Sequence, residues 1–183
     1  MSVFISIIAV IMLFFGSGLG FYNGIVSTSE NVDAKWHQVE NQMERRADLI
    51  PNLVNTIKGY ASHEKAVFEE VSKARSVLLS AKNINEVQQA ESSMNTALGR
   101  LLAISEKYPD LKANQNFIQL QDELAGTENR IAVARKDYNE AVRTYNTKIK
   151  TFPSSFFAGM FGFSEKEYFK MDESKKEVPK VAF

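Results

Sequence analysis

The histidines come first when this sequence is searched for chemistry, because imidazole is both a metal ligand and a general base near neutral pH. There are two, His37 and His63, and the chain has no cysteine. His63 and Glu64 resemble the start of an HExxH zinc motif, but its fifth position is Val67. The second histidine ligand is therefore missing, and we interpret His63 as a surface residue in the first turn of a helix.

The remaining composition excludes several classes of protein. The absence of cysteine excludes disulfides, thiolate metal sites and a cysteine nucleophile. The sequence contains neither a glycine-rich phosphate loop nor a G-x-S-x-G nucleophile motif. Lys+Arg and Asp+Glu both number 22, so no basic field is available for nucleic acid. The sequence therefore predicts a protein that is not an enzyme, with no catalytic residue, metal site or cofactor.

A charged residue on an apolar stripe is the next candidate. Arg46 falls between Met43 and Ile50 on a helical stripe of core-type residues. A charge in this position must be paired or must extend to water. We predict that its partner is Glu128, which lies beside the stripe position Thr127 of a later helix. We interpret the pair as a structural ion pair that fixes helix register, and the alternative is a ligand or partner site.

Pro51 interrupts the same stripe one residue after Ile50. Proline lacks the N–H that would bond to the carbonyl of Ala47, and its ring clashes with that carbonyl. The apolar spacing nevertheless resumes at Leu53 and Ile57. The sequence therefore predicts a kink at Pro51 within one long helix rather than the end of that helix.

Four helices with apolar residues at spacings of three and four must position these residues. They are predicted at Val32 to about Gly59, at His63 to about Ala81, from Asn83 to Pro109 and from Phe117 to Tyr145. Ser62 is predicted to cap the second helix, and Asn83 with Glu86 to form a capping box at the third. The short connections predict an all-α protein, an antiparallel up-down four-helix bundle preceded by one N-terminal transmembrane helix.

The N-terminal segment is the predicted membrane anchor. From Val3 to Phe15 every residue except Ser6 is apolar, and no charged side chain occurs before Glu30. A helix needs roughly 20 such residues to cross a bilayer. A cleaved signal peptide is the alternative, but the basic residues that normally open one are missing. We therefore expect a single-pass protein of the cell membrane.

The sequence also bears on the orientation and association of the anchor. Arg45 and Arg46 lie near the edge of the range of the positive-inside rule and favour a cytoplasmic C-terminal domain. Gly16, Gly20 and Gly24 are spaced four apart, which would allow two transmembrane helices to approach closely.

A phenylalanine-rich segment, FPSSFFAGMFGF, follows the last heptad. Its candidate membrane contacts are Phe152, Phe156, Phe157, Phe161 and Phe163. They are predicted either to cap the open end of the bundle or to enter the bilayer interface. The second alternative follows from the up-down topology, which returns the fourth helix to the membrane and brings Lys148 and Lys150 to anionic lipid.

The chain is thus expected to have three parts. Residues 1–28 form the anchor and juxtamembrane segment, residues 29–150 form the bundle, and residues 151–183 form the phenylalanine-rich segment and a charged tail. The tail, from Ser164 onward, has too few apolar residues to fold by itself and is predicted to be flexible.

Several blocks of the sequence resemble the LemA family of bacterial membrane proteins. They include YNGIVSTSENVDAKWHQVENQMERRADLIPNLVNTIKGYASHE, ARSVL, YPDLKANQNFIQLQDELAGTENRIAVARKDYNEAVRTYN and FPSSFFAGMFGF. The similarity extends from about Tyr22 to Phe169. It implies a single N-terminal transmembrane helix with a short external N-terminus, followed by a helical bundle. Because some members are encoded beside membrane metalloproteases, it also implies such a protease as a partner, and it supplies no catalytic residues.

These observations predict a membrane-anchored helical-bundle protein that acts as an interaction module or scaffold for other membrane proteins. The alternative is a structural or membrane-shaping protein that associates with itself as a homo-oligomer. In that alternative the three glycines would lie between the anchors of two copies.

Overall fold

The computed structural model describes residues 2–170, with the side chains of residues 4, 6 and 18–170. This part of the chain forms six helices and no strand, which confirms the predicted all-α class. The helices are α1 (Ser2–Lys58), α2 (Lys65–Ser80), α3 (Ile84–Ser105), α4 (Pro109–Lys112), α5 (Gln115–Lys150) and α6 (Ser154–Phe161).

The two longest helices, α1 and α5, pack against each other in opposite directions. At one end the Nδ2 atom of Asn114 donates to the Tyr60 hydroxyl (2.9 Å), and at the other Lys148 Nζ donates to the carbonyl of Gly24 (2.6 Å). Helices α2 and α3 form a second pair, and α2 also packs on α1. One apolar core lies among these four helices.

The core is formed by the predicted apolar stripes. Helix α1 contributes Val32, Val39, Ile50 and Leu53, each with at most 1% of its surface exposed. Met94 and Leu101 of α3 and Phe117 and Ile131 of α5 are buried to the same degree. Their regular spacing gives each helix one face to bury against its neighbours.

The N-terminal cap of α3 follows the sequence pattern closely. The side chain of Asn83 accepts a hydrogen bond from the backbone N–H of Glu86 (2.9 Å). The carboxylate of Glu86 accepts from the N–H of Lys82 (2.8 Å), one residue before the usual partner in a capping box. Helix α5 begins in the same way, because Asn114 accepts from the N–H of Phe117 (3.1 Å).

The predicted cap of α2 is wrong. The helix begins at Lys65, after Glu64, and it has no side-chain cap, so Ser62 lies before the capping position. The turn is held by the backbone instead, since the N–H of Glu64 donates to the carbonyl of Ala61 (3.3 Å).

Pro109 begins a helix as well as following one. Proline is favoured at the first position of a helix because the N–H it lacks would be unpaired there. Here it opens the short helix α4, which sequence periodicity does not show. Leu111, fully buried, fixes this turn in the core.

The segment after α5 forms a short helix and contacts α5, which the periodicity of the sequence does not show. Phenylalanine-rich residues form α6, which ends at Gly162 with φ of 74°, a left-handed conformation that suits glycine. Residues 164–170, expected to be a flexible tail, lie along α5 and are bonded to its side chains. Residues 171–183 of the predicted tail lie outside the described residues.

No helix in the described part of the chain contains a stretch long and apolar enough to cross a bilayer. Most of the predicted anchor, the apolar run from Val3 to Phe15, falls on residues whose side chains are outside that part. The backbone of the run belongs to α1, and the same helix continues without a break to the residues that it contributes to the core.

Candidate functional site

Arg46 and Glu128, predicted as partners from the sequence, meet between α1 and α5. Arg46 Nη1 lies 2.7 Å from Glu128 Oε2, and Arg46 Nη2 donates to the Oδ1 atom of Asn95 on α3 (2.7 Å). Arg46 is 6% exposed, whereas the side chain of Glu128 is half exposed. Burial lowers the pKa of Arg46, and the charge of Glu128 counteracts that effect.

A second arginine pair lies beside the first and was not predicted. Arg135 of α5 pairs with Glu91 of α3, whose carboxylate is buried. Burial, followed by the positive charge of Arg46, lowers the pKa of Arg135 to about 10. The sequence does contain a signal, because Glu91 and Arg135 each follow a core alanine of the stripe, as Glu128 follows Thr127.

The two ion pairs join three helices in one buried charge network. The Arg46–Glu128 and Arg135–Glu91 contacts are ion pairs, and the Nε atoms of both arginines are buried without a hydrogen bond. Such a network is costly to desolvate and favours the one helix register in which the charges meet. It can therefore specify how α1, α3 and α5 align.

Pro51 lies inside α1, and the helix continues on both sides of it. The carbonyl of Ala47, which the proline leaves without its helical donor, accepts a hydrogen bond from Arg75 Nε of α2 (2.7 Å). Arg75 Nη2 also lies 3.4 Å from the carboxylate of Asp48. The missing backbone donor thus creates an attachment point for α2, and the kink itself stays a prediction.

Helix α6 places one face of the phenylalanine-rich segment against α1. Phe157 is 4% exposed and stacks on Phe21, with ring centroids 5.2 Å apart. A Cβ atom on Gly18 would lie 3.0 Å from the Phe157 ring. Of the two predicted positions for Phe157, a cap on the helices or a membrane contact, its burial against Gly18 and Phe21 fits the first.

The other face of α6 is exposed. Tyr22 of α1 packs edge-on against Phe161 (4.9 Å between centroids) and lies 5.8 Å from the ring of Phe163, which is partly buried. Phe152 is the most exposed of the set, at 83%. We call the exposed group the aromatic end; it comprises Leu19, Tyr22, Phe152, Phe156, Met160 and Phe161. An apolar patch of this kind is typical of a surface that contacts a membrane or a protein.

The two lysines beside the aromatic end are both engaged within the chain. Lys148 Nζ donates to the carbonyl of Gly24 (2.6 Å), and Lys150 Nζ lies 2.7 Å from Glu165. The predicted contact of both lysines with anionic lipid stays a prediction, and these bonds would compete with it.

The three glycines predicted to form an association face differ from one another. A Cβ atom on Gly20 would meet no atom within 4 Å, whereas one on Gly24 would lie 2.8 Å from Lys148 Nζ. Lys148 of the same chain thus occupies the surface at Gly24 on which a second helix was expected. Gly16 lies outside the residues whose side chains are described.

Residues 164–170, which we call the C-terminal segment, are bound by side-chain amides of α5. Asn146 donates to the carbonyl of Lys166 and accepts from its N–H, with both distances 2.9 Å. Asn139 likewise donates to the carbonyl of Phe169 (3.1 Å) and accepts from its N–H (2.9 Å). Each asparagine therefore satisfies the backbone donor and acceptor of one residue.

Two side chains of the C-terminal segment are recognised separately. Lys166 Nζ lies 2.5 Å from the carboxylate of Asp33. Phe169, 7% exposed, stacks on Trp36 (5.8 Å) and packs edge-on against Tyr138 (5.3 Å). The guanidinium of Arg135 lies 4.9 Å from the centre of the Phe169 ring, a cation–π contact that links the segment to the buried charge network.

The histidines do not come together. His37 Nδ1 lies 2.7 Å from Glu40 in the next turn of α1, and His63 is exposed in the turn before α2. In the part of the chain that is described, no three side chains of the metal-ligating types are grouped closely enough to hold an ion.

Comparisons with known proteins give consistent results. Residues 35–183 match the model of the LemA family. The magnetosome protein MamQ 2 of Paramagnetospirillum magneticum is 29% identical over 192 residues, which cover 91% of this chain and 70% of that protein. MamQ of Magnetospirillum gryphiswaldense is 28% identical, covering 81% and 64% of the two chains. Protein LemA of Metamycoplasma hominis is 24% identical, covering 79% and 67%.

Proposed function

Because the chain belongs to the LemA family, we propose that it is a membrane-anchored helical protein that acts as a scaffold or regulator for other membrane proteins. In this proposal residues 1–28 form a single-pass anchor, and residues 29–150 form an antiparallel four-helix bundle on the cytoplasmic side. No catalytic role is assigned to any residue. A membrane metalloprotease is one partner of the expected kind.

The aromatic end is the observation that carries this proposal. Helix α6 packs on α1 beside Phe21 and Tyr22, immediately after the apolar N-terminal run. Tyr22 lies seven residues beyond Phe15, or about 10 Å along a helix. If the uncharged stretch from Val3 to Tyr22 spans the bilayer, the aromatic end lies at the depth of the lipid headgroups.

The composition of the aromatic end suits that depth. Aromatic and aliphatic side chains enter the headgroup region when the surrounding segment carries few charges. Burial of each large apolar side chain there contributes on the order of 1.5–3 kcal/mol. The buried contacts of Phe157 and Ala158 attach α6 to the helices that form the core, which we call the body. The lipid contact would therefore also set the distance between the body and the bilayer.

A depth measurement on the full chain in liposomes tests the proposal. The native chain has no cysteine, so Met160→Cys and Lys107→Cys each provide one site for an environment-sensitive dye. Met160 is in the aromatic end, whereas Lys107 follows α3 at the opposite end of the body. We expect a headgroup-attached quencher to reduce the fluorescence at position 160 by at least half and to leave position 107 unchanged. Equal quenching at the two positions would contradict the proposal.

A double substitution separates lipid contact from packing. Phe156→Ser with Phe161→Ser alters exposed residues, and we expect reduced quenching at position 160 with an unchanged thermal unfolding midpoint. Phe157→Ser is the matched control, because it removes a buried ring and should lower stability by about 3 kcal/mol. If the double variant unfolds as readily as the control, the exposed phenylalanines are structural and the membrane contact is wrong.

A further inference from the structure

We propose that the surface of α1 and α5 beneath the C-terminal segment is a binding site for an extended peptide, and that a partner protein with a Lys-x-x-Phe sequence binds there by displacing this segment. We call this surface the peptide groove; its contact residues are Asp33, Trp36, Arg135, Tyr138, Asn139 and Asn146. The inference rests on the proposed role in protein interaction and names the chemistry of the partner.

The spacing of the two asparagines matches an extended chain. Asn139 and Asn146 are seven residues apart on α5, or about 10.5 Å along the helix. Lys166 and Phe169 are three residues apart, which in extended conformation is about 10 Å. Two turns of the helix are therefore about as long as three residues of extended peptide. Both asparagine side chains can then hydrogen-bond to the peptide backbone at the same time.

The groove binds main-chain atoms along the whole segment. The Tyr145 hydroxyl donates to the carbonyl of Ser164 (3.0 Å), and the Tyr138 hydroxyl donates to the carbonyl of Glu167 (3.1 Å). Gln88 Nε2 donates to the carbonyl of Lys170 (2.9 Å). These donors come from α3 and α5 and add to the bonds from the asparagines. Main-chain contacts of this kind give affinity for an extended backbone whatever its side chains, as in other peptide-binding proteins.

Two subsites supply selectivity. A lysine fits the first, because Asp33 pairs with Lys166 Nζ and the carbonyl of Ser29 lies 3.4 Å from the same atom. An aromatic ring fits the second, between Trp36 and the guanidinium of Arg135. Buried aromatic and charged contacts of this type dominate most protein interfaces.

The residues between and beside these positions are not buried in the groove. The side chain of Glu165 is exposed and pairs with Lys150, and Glu167 and Tyr168 are exposed. They make the intervening positions tolerant of other side chains. The sequence that the groove selects is therefore a lysine, any two residues and an aromatic residue.

Displacement of the resident segment would break no backbone hydrogen bond of the helices, and it would expose the rings of Trp36 and Tyr138 that pack on Phe169. The segment has no helical or strand structure of its own, and it follows Gly162, whose left-handed conformation forms the turn after α6. A short tether raises the effective concentration of the resident segment to about the millimolar range. A partner peptide must therefore bind more tightly than the resident segment, or the contacts of the resident segment must be weakened, before the partner can occupy the groove.

The test uses the full chain in detergent, without a bilayer, so its outcome is independent of the membrane-contact proposal. The probe is a fluorescein-labelled peptide with the sequence of residues 163–170, FSEKEYFK, and its binding is measured by fluorescence polarisation. We expect a Lys166→Ala, Phe169→Ser chain to bind this peptide at least about tenfold more tightly than the native chain, because its own segment competes less.

Variants of the groove and of the peptide test the contacts. In the released chain, Asn139→Ala or Asn146→Ala should each weaken binding about tenfold or more, since each removes two hydrogen bonds. Peptides with glutamate at the Lys166 position or alanine at the Phe169 position should bind at least about tenfold more weakly. A peptide with alanine in place of Glu165 and Tyr168 is the matched control and should bind as the parent does.

Two results would overturn the inference. One is equal binding of all the peptides, and the other is no binding to a released chain whose circular dichroism equals that of the native chain. If the released chain loses helicity, the native chain is tested with a peptide that carries a photoreactive phenylalanine at the Phe169 position. Crosslinking to α1 or α5 at the groove is then expected, and its absence at saturating peptide would overturn the inference.

Discussion

At the scale of single residues, the buried charge network is the main departure from an apolar core. Arg46 is almost fully buried, while its partner Glu128 retains access to water. The two members of the pair therefore differ in what their loss costs. Loss of the carboxylate leaves a buried cation, whereas loss of the arginine leaves a carboxylate that can turn outward.

This asymmetry gives a prediction for unfolding in urea. Glu128→Leu should lower the free energy of unfolding by about 2–4 kcal/mol, because Arg46 stays buried with only Asn95 as partner. Arg46→Met combined with Glu128→Leu should recover most of that loss. The exposed pair Arg100–Glu70 is the control, and its single substitutions should cost less than about 1 kcal/mol. A double variant no more stable than Glu128→Leu would contradict the prediction.

Tyr138 gives a prediction for alkaline pH. Burial, then the charges of Asp33 and Glu167, raise the pKa of Tyr138 from 10.0 to about 12. Between these values the folded chain holds a proton that the unfolded chain has lost, so stability falls as pH rises from 10 to 12. The lowered pKa of Arg135 acts in the opposite direction, but it is common to native chain and Tyr138→Phe variant.

Comparison of these two proteins isolates the tyrosine. We expect the native chain to lose more stability than Tyr138→Phe between pH 10 and pH 12, as measured by thermal unfolding at each pH. Parallel loss in the two proteins would show that the Tyr138 phenol is not the group whose ionisation is coupled to folding.

At the scale of helices, Pro51 and Arg75 connect α1 to α2. A proline inside a helix normally leaves one carbonyl without a donor. Here that carbonyl, on Ala47, is bonded by the guanidinium of Arg75. The residue that weakens one helix thus orients its neighbour.

A double-mutant cycle tests this coupling. Arg75→Met should destabilise the native chain by about 1–3 kcal/mol, because the Ala47 carbonyl is left without its donor. In a Pro51→Ala background the same change should cost less than about 1 kcal/mol, since the N–H of residue 51 can then bond to Ala47. Free energies from urea unfolding measure both effects, and equal costs in the two backgrounds would show that the sites are independent.

At the scale of the whole molecule, charge is balanced both in total and beside the aromatic end. The net charge is zero, and Lys148 and Lys150 are bonded within the chain. A free lysine near an anionic surface contributes about 1 kcal/mol to binding. The proposed contact between the body and the bilayer should accordingly depend on apolar side chains, with little effect of anionic lipid.

Glu165→Gln tests the charge balance because it leaves Lys150 without its partner. We expect the variant to show more quenching at position 160 in anionic liposomes than in zwitterionic ones, corresponding to about a fivefold change in the contact equilibrium. The native pairing should give nearly equal values in the two lipids. The matched control is Glu106→Gln, because Glu106 pairs with Lys112 at the opposite end of the body. An unchanged Glu165→Gln protein would show that the pairing of Lys150 with Glu165 is not the reason why the contact is insensitive to anionic lipid.

Local patterns in the sequence determined much of the fold. Helical spacing identified the stripes of α1, α3 and α5, and Asn83 marked the start of α3, because periodicity and capping depend on residues within a few positions of one another. The position of Arg46 on a stripe implied a charged partner, because a charge on a buried face must be paired. The choice of Glu128 followed from its position beside the facing stripe, and the structure brings the two side chains together.

Only the tertiary structure decided which side chains are exposed at the surface and which are buried or paired within the chain. Phe156 and Phe157 are neighbours of the same type, yet the position of Gly18 buries one and leaves the other exposed. The C-terminal segment is too polar to fold alone, but Asn139 and Asn146 satisfy its backbone. Its lysine pairs with Asp33, 133 residues earlier in the chain. Contacts over such separations depend on how helices pack, which the local periodicity of a sequence does not encode.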